Sequence, residues 1–172
     1  MQKNLLIMSE MPQYFVNLAD KDFNTHKLWL QNDEDKYISE VQEKVDAIAV
    51  MGGYKITPEL MKSMTNLKII ACYGVGYDAI DIDYAKSLGI KVTNTPEVLN
   101  DEVADTAIAL MLCVYKQIVD ADNFARNNSW VNGDFPLSKK FSGSKLGIVG
   151  MGRIGKAIAK RAEAFDCAIS VS

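Results

Sequence analysis

The sequence predicts an α/β protein with parallel β-sheets, and three observations support that prediction. Up to residue 93, five short apolar runs alternate with segments of helical periodicity. A longer stretch with a helical pattern follows residue 99. A sixth apolar run, at residues 146–149, leads directly into a glycine-rich turn and another helical pattern. Strands that alternate with helices in this way pair in parallel, with helices covering the sheet.

The segment up to residue 98 has the pattern of one doubly wound domain. The predicted strands are residues 5–8, 26–30, 47–51, 67–72 and 90–93. The predicted helices are residues 12–18, 33–45, a helix that begins after Thr57, and residues 82–88. Thr57 is suited to the N-cap of its helix and Pro58 to the first helical position. We expect a flavodoxin-like strand order and a first domain of residues 1–98.

Residues 100–124 are predicted to form one long helix that opens a second domain, residues 99–172. Asn100 is a suitable N-cap, and Asp101 and Glu102 suit the positive end of a helix. The apolar face of this helix is wider than a one-sided surface helix needs. It consists of Val103, Ala107, Leu110, Met111, Val114, Tyr115, Ile118 and Val119. We therefore expect this face to contact a neighbouring domain or a second subunit, and predict a homodimer.

A Gly-x-Gly-x-x-Gly motif stands between the sixth apolar run and the last helical pattern. In this context Gly150 permits a tight turn, Gly152 a close approach of the backbone to a pyrophosphate, and Gly155 close packing of helix on strand. The N-terminus of the helix then faces the phosphates, and Arg153 in its first turn adds a positive charge beside them. We expect Gly150, Gly152, Arg153, Ile154 and Gly155 to bind the cofactor. The motif predicts the start of a Rossmann dinucleotide-binding domain.

Two other interpretations of this motif are less favourable. A plain glycine loop would not require the strand and the helix that flank it. A phosphate-binding loop of a nucleoside triphosphatase also fits the spacing from Gly150 to Lys156. Such a loop continues with a serine or threonine that holds Mg²⁺, and here that residue is Ala157.

Composition narrows the class of protein further. The 172 residues carry 19 basic and 22 acidic side chains, a net charge of -3, which does not indicate a nucleic-acid partner. Cys72, Cys113 and Cys167 are far apart in apolar runs, so we expect reduced thiols, no disulfide and no metal site. Because no apolar run has membrane-spanning length and the start does not resemble a signal peptide, we expect a cytoplasmic protein without a membrane partner.

Four segments together resemble one known family, over nearly all of the chain. They are Gly-Val-Gly-Tyr-Asp at 74–78, Asn-Thr-Pro at 94–96, Val-Ala-Asp-Thr-Ala at 103–107, and residues 141–155 with the glycine motif. In this order they resemble the D-isomer-specific 2-hydroxyacid dehydrogenases. Residues 159–167 are most similar to the hydroxypyruvate and glyoxylate reductase branch of that family.

The resemblance implies hydride transfer between a nicotinamide cofactor and a 2-oxo or 2-hydroxy acid. It implies that the backbone N–H groups of Val75 and Gly76 hold the substrate carboxylate, although an ordinary strand-to-helix turn is the alternative. It also implies that Thr106 contacts the cofactor, the alternative being a hydroxyl bonded back to its own helix. Gly52 and Gly53 end a strand at the same edge of the sheet and form either part of the substrate cleft or a plain turn.

The catalytic Arg, Glu and His of the family lie downstream of the glycine motif, and no residue here matches them. We therefore expect a segment that ends before them: a whole substrate domain, an incomplete cofactor domain, and no turnover by the 172 residues alone. His26, the single histidine, lies in the first domain and is interpreted as structural. The resemblance implies NADP or NAD as the cofactor, and its reductase branch favours NADPH.

The sequence leaves three hypotheses about function. The first is NAD(P)H-dependent reduction of a hydroxypyruvate- or glyoxylate-type 2-oxo acid to the D-2-hydroxy acid by the parent enzyme. The second is a non-enzymatic ligand-sensing or interaction module on the same fold. The third is a short protein that dimerises through the apolar helix that begins near Asn100.

Overall fold

The computed structural model describes residues 2–172, which form two compact units. The first unit ends at Pro96, and the second is Glu97–Ser172. Each unit has its own sheet and its own apolar core.

The first unit contains a five-stranded parallel sheet with the order β2-β1-β3-β4-β5. Its strands are β1 Lys3–Ile7, β2 Phe23–Lys27, β3 Ala47–Met51, β4 Ile69–Tyr73 and β5 Lys91–Thr93. All four neighbouring pairs are parallel. The predicted flavodoxin-like order is therefore confirmed.

Helices connect the strands, and local capping signals define where they begin. They are α1 Gln13–Asp22, α2 Glu34–Val41, α3 Pro58–Ser63 and α4 Ile82–Ser87. The Thr57 hydroxyl accepts the backbone N–H of Leu60 at 3.2 Å, and Pro58 is the first helical residue, as predicted. Asp33 and Asp81 cap α2 and α4 in the same way. Side-chain caps of this kind satisfy N–H groups that have no partner inside the helix.

The core of the first unit lies on both faces of the sheet. Side chains of a strand alternate between its faces, so Leu6 and Ile48 lie in one cluster and Leu5 and Ile7 in the other. The first cluster packs under α2, α3 and α4, and the second under α1. The sheet is buried on both sides, which explains why β1 and β3 are nearly continuous apolar runs.

Several predicted boundaries in this unit are wrong: α1 extends to Asp22 and β4 begins at Ile69, and the second strand and second helix also differ. The second strand was predicted at residues 26–30 but is Phe23–Lys27, followed by a 3₁₀ turn, Leu28–Leu30. β2 is an edge strand that pairs only with β1, so the polar residues in it are tolerated. Its position is set by the register of this pairing, in which His26 lies opposite Leu6. The helix predicted at 33–45 ends at Val41, because the chain turns there to bring Val45 into the core.

The second unit consists of a two-stranded parallel sheet and three α-helices. Its elements are α5 Asn100–Lys116, α6 Ile118–Arg126, a 3₁₀ turn Ser129–Asn132, β6 Lys145–Ile148, α7 Arg153–Glu163 and β7 Ala168–Val171. Ile108, Phe141, Ala162 and Cys167 form its buried core. The strand, glycine turn and helix predicted around residues 146–162 are confirmed.

The long helix predicted at residues 100–124 is two helices. Gln117 adopts a left-handed conformation, with φ 52°, and its N–H bonds to the carbonyl groups of Cys113 and Val114. This closes α5 before α6 begins. Glycine is the usual residue at such a position, so the glutamine left no signal in the sequence.

The predicted cap of this helix is also wrong. Asn100 is the first residue of α5 rather than its N-cap, because the Val103 N–H bonds to the carbonyl of Leu99. No side chain caps α5.

Among residues 2–172 no helix is both long and apolar enough to cross a membrane. Over the same residues no three His, Cys, Asp or Glu side chains are grouped as a metal site would need. Cys72 and Cys167 are buried free thiols, and Cys113 is a half-buried one.

Candidate cofactor and substrate sites

The turn between β6 and α7 has the backbone conformation that the glycine motif predicts. Gly150 has φ 90°, in the left-handed region where a residue with a Cβ is strained. Its N–H bonds to the carbonyl of Ser172, which ties the turn to the end of β7. The conformation of Gly150 therefore places the N-terminus of α7 at the carboxyl end of β6.

Gly155 lets the first turn of α7 pack directly on this glycine turn. A Cβ on Gly155 would overlap the carbonyl oxygen of Gly150 and would lie 3.3 Å from its carbonyl carbon. It would also lie 3.5 Å from the side chain of Ile148. The close packing predicted for the third glycine of the motif is present in the structure.

Gly152 lies at the open side of the turn. It is the N-cap of α7, and a Cβ added to it would meet no atom within 4 Å. No side chain caps α7, and its first turn contains no acidic residue. The N–H groups at the start of the helix are therefore available to an external anion, and Gly152 leaves space for that anion to approach. The residues fit a bound dinucleotide.

Arg153 and Ile154 form the first turn of α7. Arg153 is exposed, and its Nε is 2.9 Å from Oε1 of Glu97, an equally exposed carboxylate. This ion pair reduces the positive charge that the sequence predicted at the helix N-terminus, and solvent screens it. Ile154 is half-buried. The cofactor-binding roles of both residues stay predictions.

Arg161 connects α7 to α5. Its guanidinium bonds to Asp105 and, at 3.0 Å, to Asp101, and it also donates to the carbonyl of Ala157. The two carboxylates raise the pKa of Arg161. Sequence reasoning missed these pairs, because the partners lie 56 and 60 residues apart. They hold the glycine-motif helix on α5.

Thr106 is exposed on α5, in the wall of a shallow groove of about 340 Å³. The groove is otherwise lined by Leu99, Glu102, Val103, Ala107 and Leu110. Among residues 2–172 the Thr106 hydroxyl makes no bond to a carbonyl of its helix. The alternative of a back-bonded hydroxyl is therefore not observed, and the contact with a cofactor stays a prediction.

The loop after β4 in the first unit packs against the loop after β3. A Cβ on Gly74 would lie 3.1 Å from the Cα of Gly52, which is tighter than an ordinary contact, so glycine at position 74 lets the two backbones approach this closely. The Gly52 N–H also bonds to the carbonyl of Tyr73 at 3.3 Å. Gly53 has φ 90° and forms the turn itself.

Three successive carbonyl groups of the β4 loop accept hydrogen bonds from its own unit. The Gly74 carbonyl accepts the Thr95 N–H at 2.9 Å, and the Val75 carbonyl accepts Nδ2 of Asn94 at 2.8 Å. The Gly76 carbonyl accepts the thiol of Cys72 at 3.4 Å. Burial raises the pKa of the Cys72 thiol, which keeps it protonated as a donor.

The N–H groups of this loop are different. Within residues 2–172 neither Val75 nor Gly76 donates a backbone hydrogen bond. Val75 is half-buried and Gly76 exposed, so an external acceptor can reach them. Two adjacent free N–H groups suit a carboxylate. The nearest acid is the exposed Asp78, whose Oδ2 would lie 3.9 Å from a Cβ on Gly76.

His26 belongs to neither loop. It lies in β2, at the opposite edge of the sheet from β5, with Tyr37 Oη 3.1 Å from its Nδ1 and Asn4 Oδ1 3.3 Å from its Nε2. Burial and the nearby Lys44 lower the pKa of His26. These contacts agree with the structural role predicted for it.

Sequence comparison identifies relatives along almost the whole chain. The family described as D-isomer specific 2-hydroxyacid dehydrogenase, catalytic domain, matches residues 5–168. Hydroxyphenylpyruvate reductase of Plectranthus scutellarioides is 40% identical over 166 residues, which cover 96% of this chain and 53% of the relative. Glyoxylate reductase of Thermococcus litoralis is 40% identical over 177 residues, 98% of this chain and 53% of the relative. The chain thus spans about half the length of these curated relatives.

Solved structures with the same fold agree. A 2-hydroxyacid dehydrogenase from Ketogulonicigenium vulgare has a TM-score of 0.91 at 36% identity, over 99% of this chain and 54% of that chain. The NADPH-dependent glyoxylate/hydroxypyruvate reductase of Sinorhizobium meliloti, in complex with NADP and malonate, has a TM-score of 0.84 at 36% identity, over 99% and 53%. The motifs, the fold and the comparisons lead to one conclusion: the chain belongs to the D-isomer-specific 2-hydroxyacid dehydrogenase family.

Proposed function

We propose that the whole protein reduces a 2-oxo acid of the hydroxypyruvate or glyoxylate type to the D-2-hydroxy acid with NADPH or NADH. The observation that carries the proposal is the open glycine turn at the N-terminus of α7 in a chain of this family. The glyoxylate reductase and the glyoxylate/hydroxypyruvate reductase named above support this choice of substrate.

We assign cofactor binding to Gly150, Gly152, Arg153, Ile154 and Gly155, with Thr106 on α5. The free N–H groups and the dipole of α7 attract a pyrophosphate, and Gly152 permits its approach. When bound, a nicotinamide dinucleotide supplies the hydride. NADPH is favoured over NADH because a structurally similar reductase is described as NADPH-dependent.

We assign substrate binding to the first unit. The N–H groups of Val75 and Gly76 donate to the carboxylate of the 2-oxo acid. Within residues 2–172 no backbone carbonyl accepts a hydrogen bond from either N–H group. We accordingly interpret residues 1–98 as the substrate domain and residues 99–172 as the first part of the cofactor domain.

We propose that the protein is a homodimer that uses the apolar face of α5 and α6. Five large apolar side chains of this face are between 42% and 75% exposed: Val103, Leu110, Val114, Ile118 and Val119. Large apolar side chains that are exposed in this way favour an interaction surface. The three free cysteines fit a reducing compartment, and we propose a cytoplasmic location.

The test is an assay of NADPH and NADH oxidation by the whole protein with glyoxylate and hydroxypyruvate. We expect turnover with at least one of these acids and a higher kcat/KM with NADPH. Gly152→Val is the negative control, because it should block the cofactor without unfolding the protein. A folded protein that binds the cofactor yet reduces no 2-oxo acid would contradict the proposal.

A further inference from the structure

We infer that Asn94 is a positioning residue for the carboxylate site: it directs the N–H of Gly76 by holding the other end of the same peptide group. The inference rests on the proposed function, in which that N–H binds the substrate. Thr95 has the corresponding effect on the N–H of Val75. Neither residue touches the substrate in this arrangement.

The geometry of the peptide bond makes the connection between the two ends. A trans peptide group is planar, and its C=O and N–H point in opposite directions. The group that joins Val75 and Gly76 has its oxygen 2.8 Å from Nδ2 of Asn94, so its N–H points away from Asn94. The preceding group has the Gly74 oxygen 2.9 Å from the N–H of Thr95, so the Val75 N–H also points away from the β5 end.

The loop needs such a restraint because of its composition. Gly74 and Gly76 flank Val75, and glycine has more backbone freedom than any other residue. The close approach of Gly74 to Gly52 favours glycine at 74, so stiffness comes from elsewhere. Asn94 supplies it from a rigid element, since it directly follows β5, which pairs with β4. A donor fixed before substrate arrives binds better than one that must be ordered.

The chemical type of residue 94 also matters. An amide donor is neutral, so it polarises the peptide and strengthens the N–H at the other end without attracting the substrate to itself. An aspartate in the same space would present an acceptor to the Val75 oxygen and would repel it. A leucine of similar size would leave that oxygen without a donor.

The experiment compares kinetics of three variants of the whole protein: Asn94→Leu, Asn94→Asp and Asn66→Leu. Asn66 is a matched control, because its Nδ2 also donates to a backbone carbonyl, that of Glu43 at 2.6 Å, but lies before β4, at the other end of the strands. For Asn94→Leu we expect KM for the 2-oxo acid to rise about threefold to tenfold, the effect of one ordinary hydrogen bond. For Asn94→Asp we expect a larger rise, and for Asn66→Leu none. KM for the cofactor should stay within about twofold in all three.

A second measurement distinguishes an effect of Asn94 on the orientation of the Gly76 N–H from an effect on the stability of the fold. Malonate is titrated into the ¹⁵N-labelled protein, and the amide proton shifts of Val75 and Gly76 are followed. We expect both to move downfield in the wild type, and the Gly76 shift to be lost in Asn94→Leu while the Val75 shift remains, because Thr95 still holds its peptide. If Asn94→Leu does not fold, Asn94→Asp, which has the same shape, serves in its place.

The outcomes are distinguishable. An unchanged KM for the 2-oxo acid and an unchanged Gly76 shift in the Asn94 variants would overturn the inference and leave the proposed function intact. Equal losses of thermal stability in Asn94→Leu and Asn66→Leu without a KM difference would show a structural bond only, and would also overturn it. A wild-type protein that turns over but shows no shift at Val75 or Gly76 would refute the carboxylate site and the inference together.

Discussion

Gly155 packs directly against the carbonyl group of Gly150, with no room between them for a methyl group. The two residues are at the third and first positions of the glycine motif. Their contact joins the first turn of α7 to the turn after β6. The backbone of Gly150 has a φ of 90°, a conformation that glycine adopts without the strain of a Cβ. The N-terminus of α7 is therefore packed on the turn by a direct backbone contact.

Gly155→Ala should destabilise the second unit, because the new Cβ would overlap the Gly150 oxygen and backbone atoms must move. We expect a loss of about 2–3 kcal/mol in the free energy of unfolding, at the upper end of overpacking effects. Urea denaturation measures it. Gly152→Ala is the matched control, since its Cβ would meet no atom within 4 Å. Equal stabilities of the two variants would show that the turn relaxes without cost.

Gly152→Val should affect cofactor binding more than stability. The valine side chain enters open space, but Gly152 is the N-cap of α7, where valine is disfavoured, so we expect a loss of only about 1 kcal/mol in the free energy of unfolding. It should nevertheless occupy the path of the pyrophosphate and weaken cofactor binding at least about tenfold, which is about 1.4 kcal/mol. Fluorescence titration with NADPH measures the affinity. Unchanged affinity would remove the assignment of this turn to the cofactor.

Leu110→Glu should disrupt the proposed homodimer. Leu110 is 62% exposed on the apolar face of α5, and two charges buried against each other in a symmetric interface repel. Sedimentation velocity at micromolar concentration should show a shift from dimer to monomer. Leu18→Glu is the control, because Leu18 is similarly exposed, at 57%, on α1 of the other unit. A wild-type protein that sediments as a monomer would refute the proposed interface.

Asp46→Asn should reduce stability at neutral pH but not in acid. Hydrogen bonds from Lys3 Nζ and from the Asn4 N–H hold the pKa of Asp46 below its ordinary value of 3.8. A carboxyl with a lowered pKa in the folded state contributes stability above its unfolded pKa, and this is lost as pH falls through the folded value. We expect a deficit of about 1 kcal/mol at pH 7, discounted because Lys3 is exposed.

Urea denaturation across pH tests this prediction. The difference between wild type and Asp46→Asn should shrink as pH falls below 3.8, the ordinary pKa of an aspartate. Asp22→Asn serves as the control, since Asp22 is an exposed carboxylate at the end of α1. A difference that stays constant from neutral to acid pH would mean that charge on Asp46 does not contribute.

Sequence reasoning was most accurate where the signal is local. Thr57 and Pro58 mark the start of α3 because a cap acts within one helical turn, and Gly150 and Gly155 mark a turn and a close contact for which only glycine is suitable. The parallel order of the first sheet also followed, because strands that alternate with helices have few ways to pair.

Predictions from the sequence failed where a neighbour distant in sequence determines the position of an element. β2 takes its position from pairing with β1, and this outweighs the more apolar residues 28–30. The break at Gln117 uses a residue that rarely adopts a left-handed conformation, so no local pattern announces it.

The turn after β6 and the loop after β4 show the same difference between local and distant signals. Apolar periodicity and glycine spacing were enough to predict the sheet and the glycine turn between β6 and α7, because those properties are carried by short stretches of chain. The bond from Asn94 to the Val75 carbonyl and the pairing of Arg161 with Asp101 emerged only in the folded protein. Each joins side chains and backbone groups that are far apart in sequence, and only packing of the helices and strands brings such groups within hydrogen-bond distance.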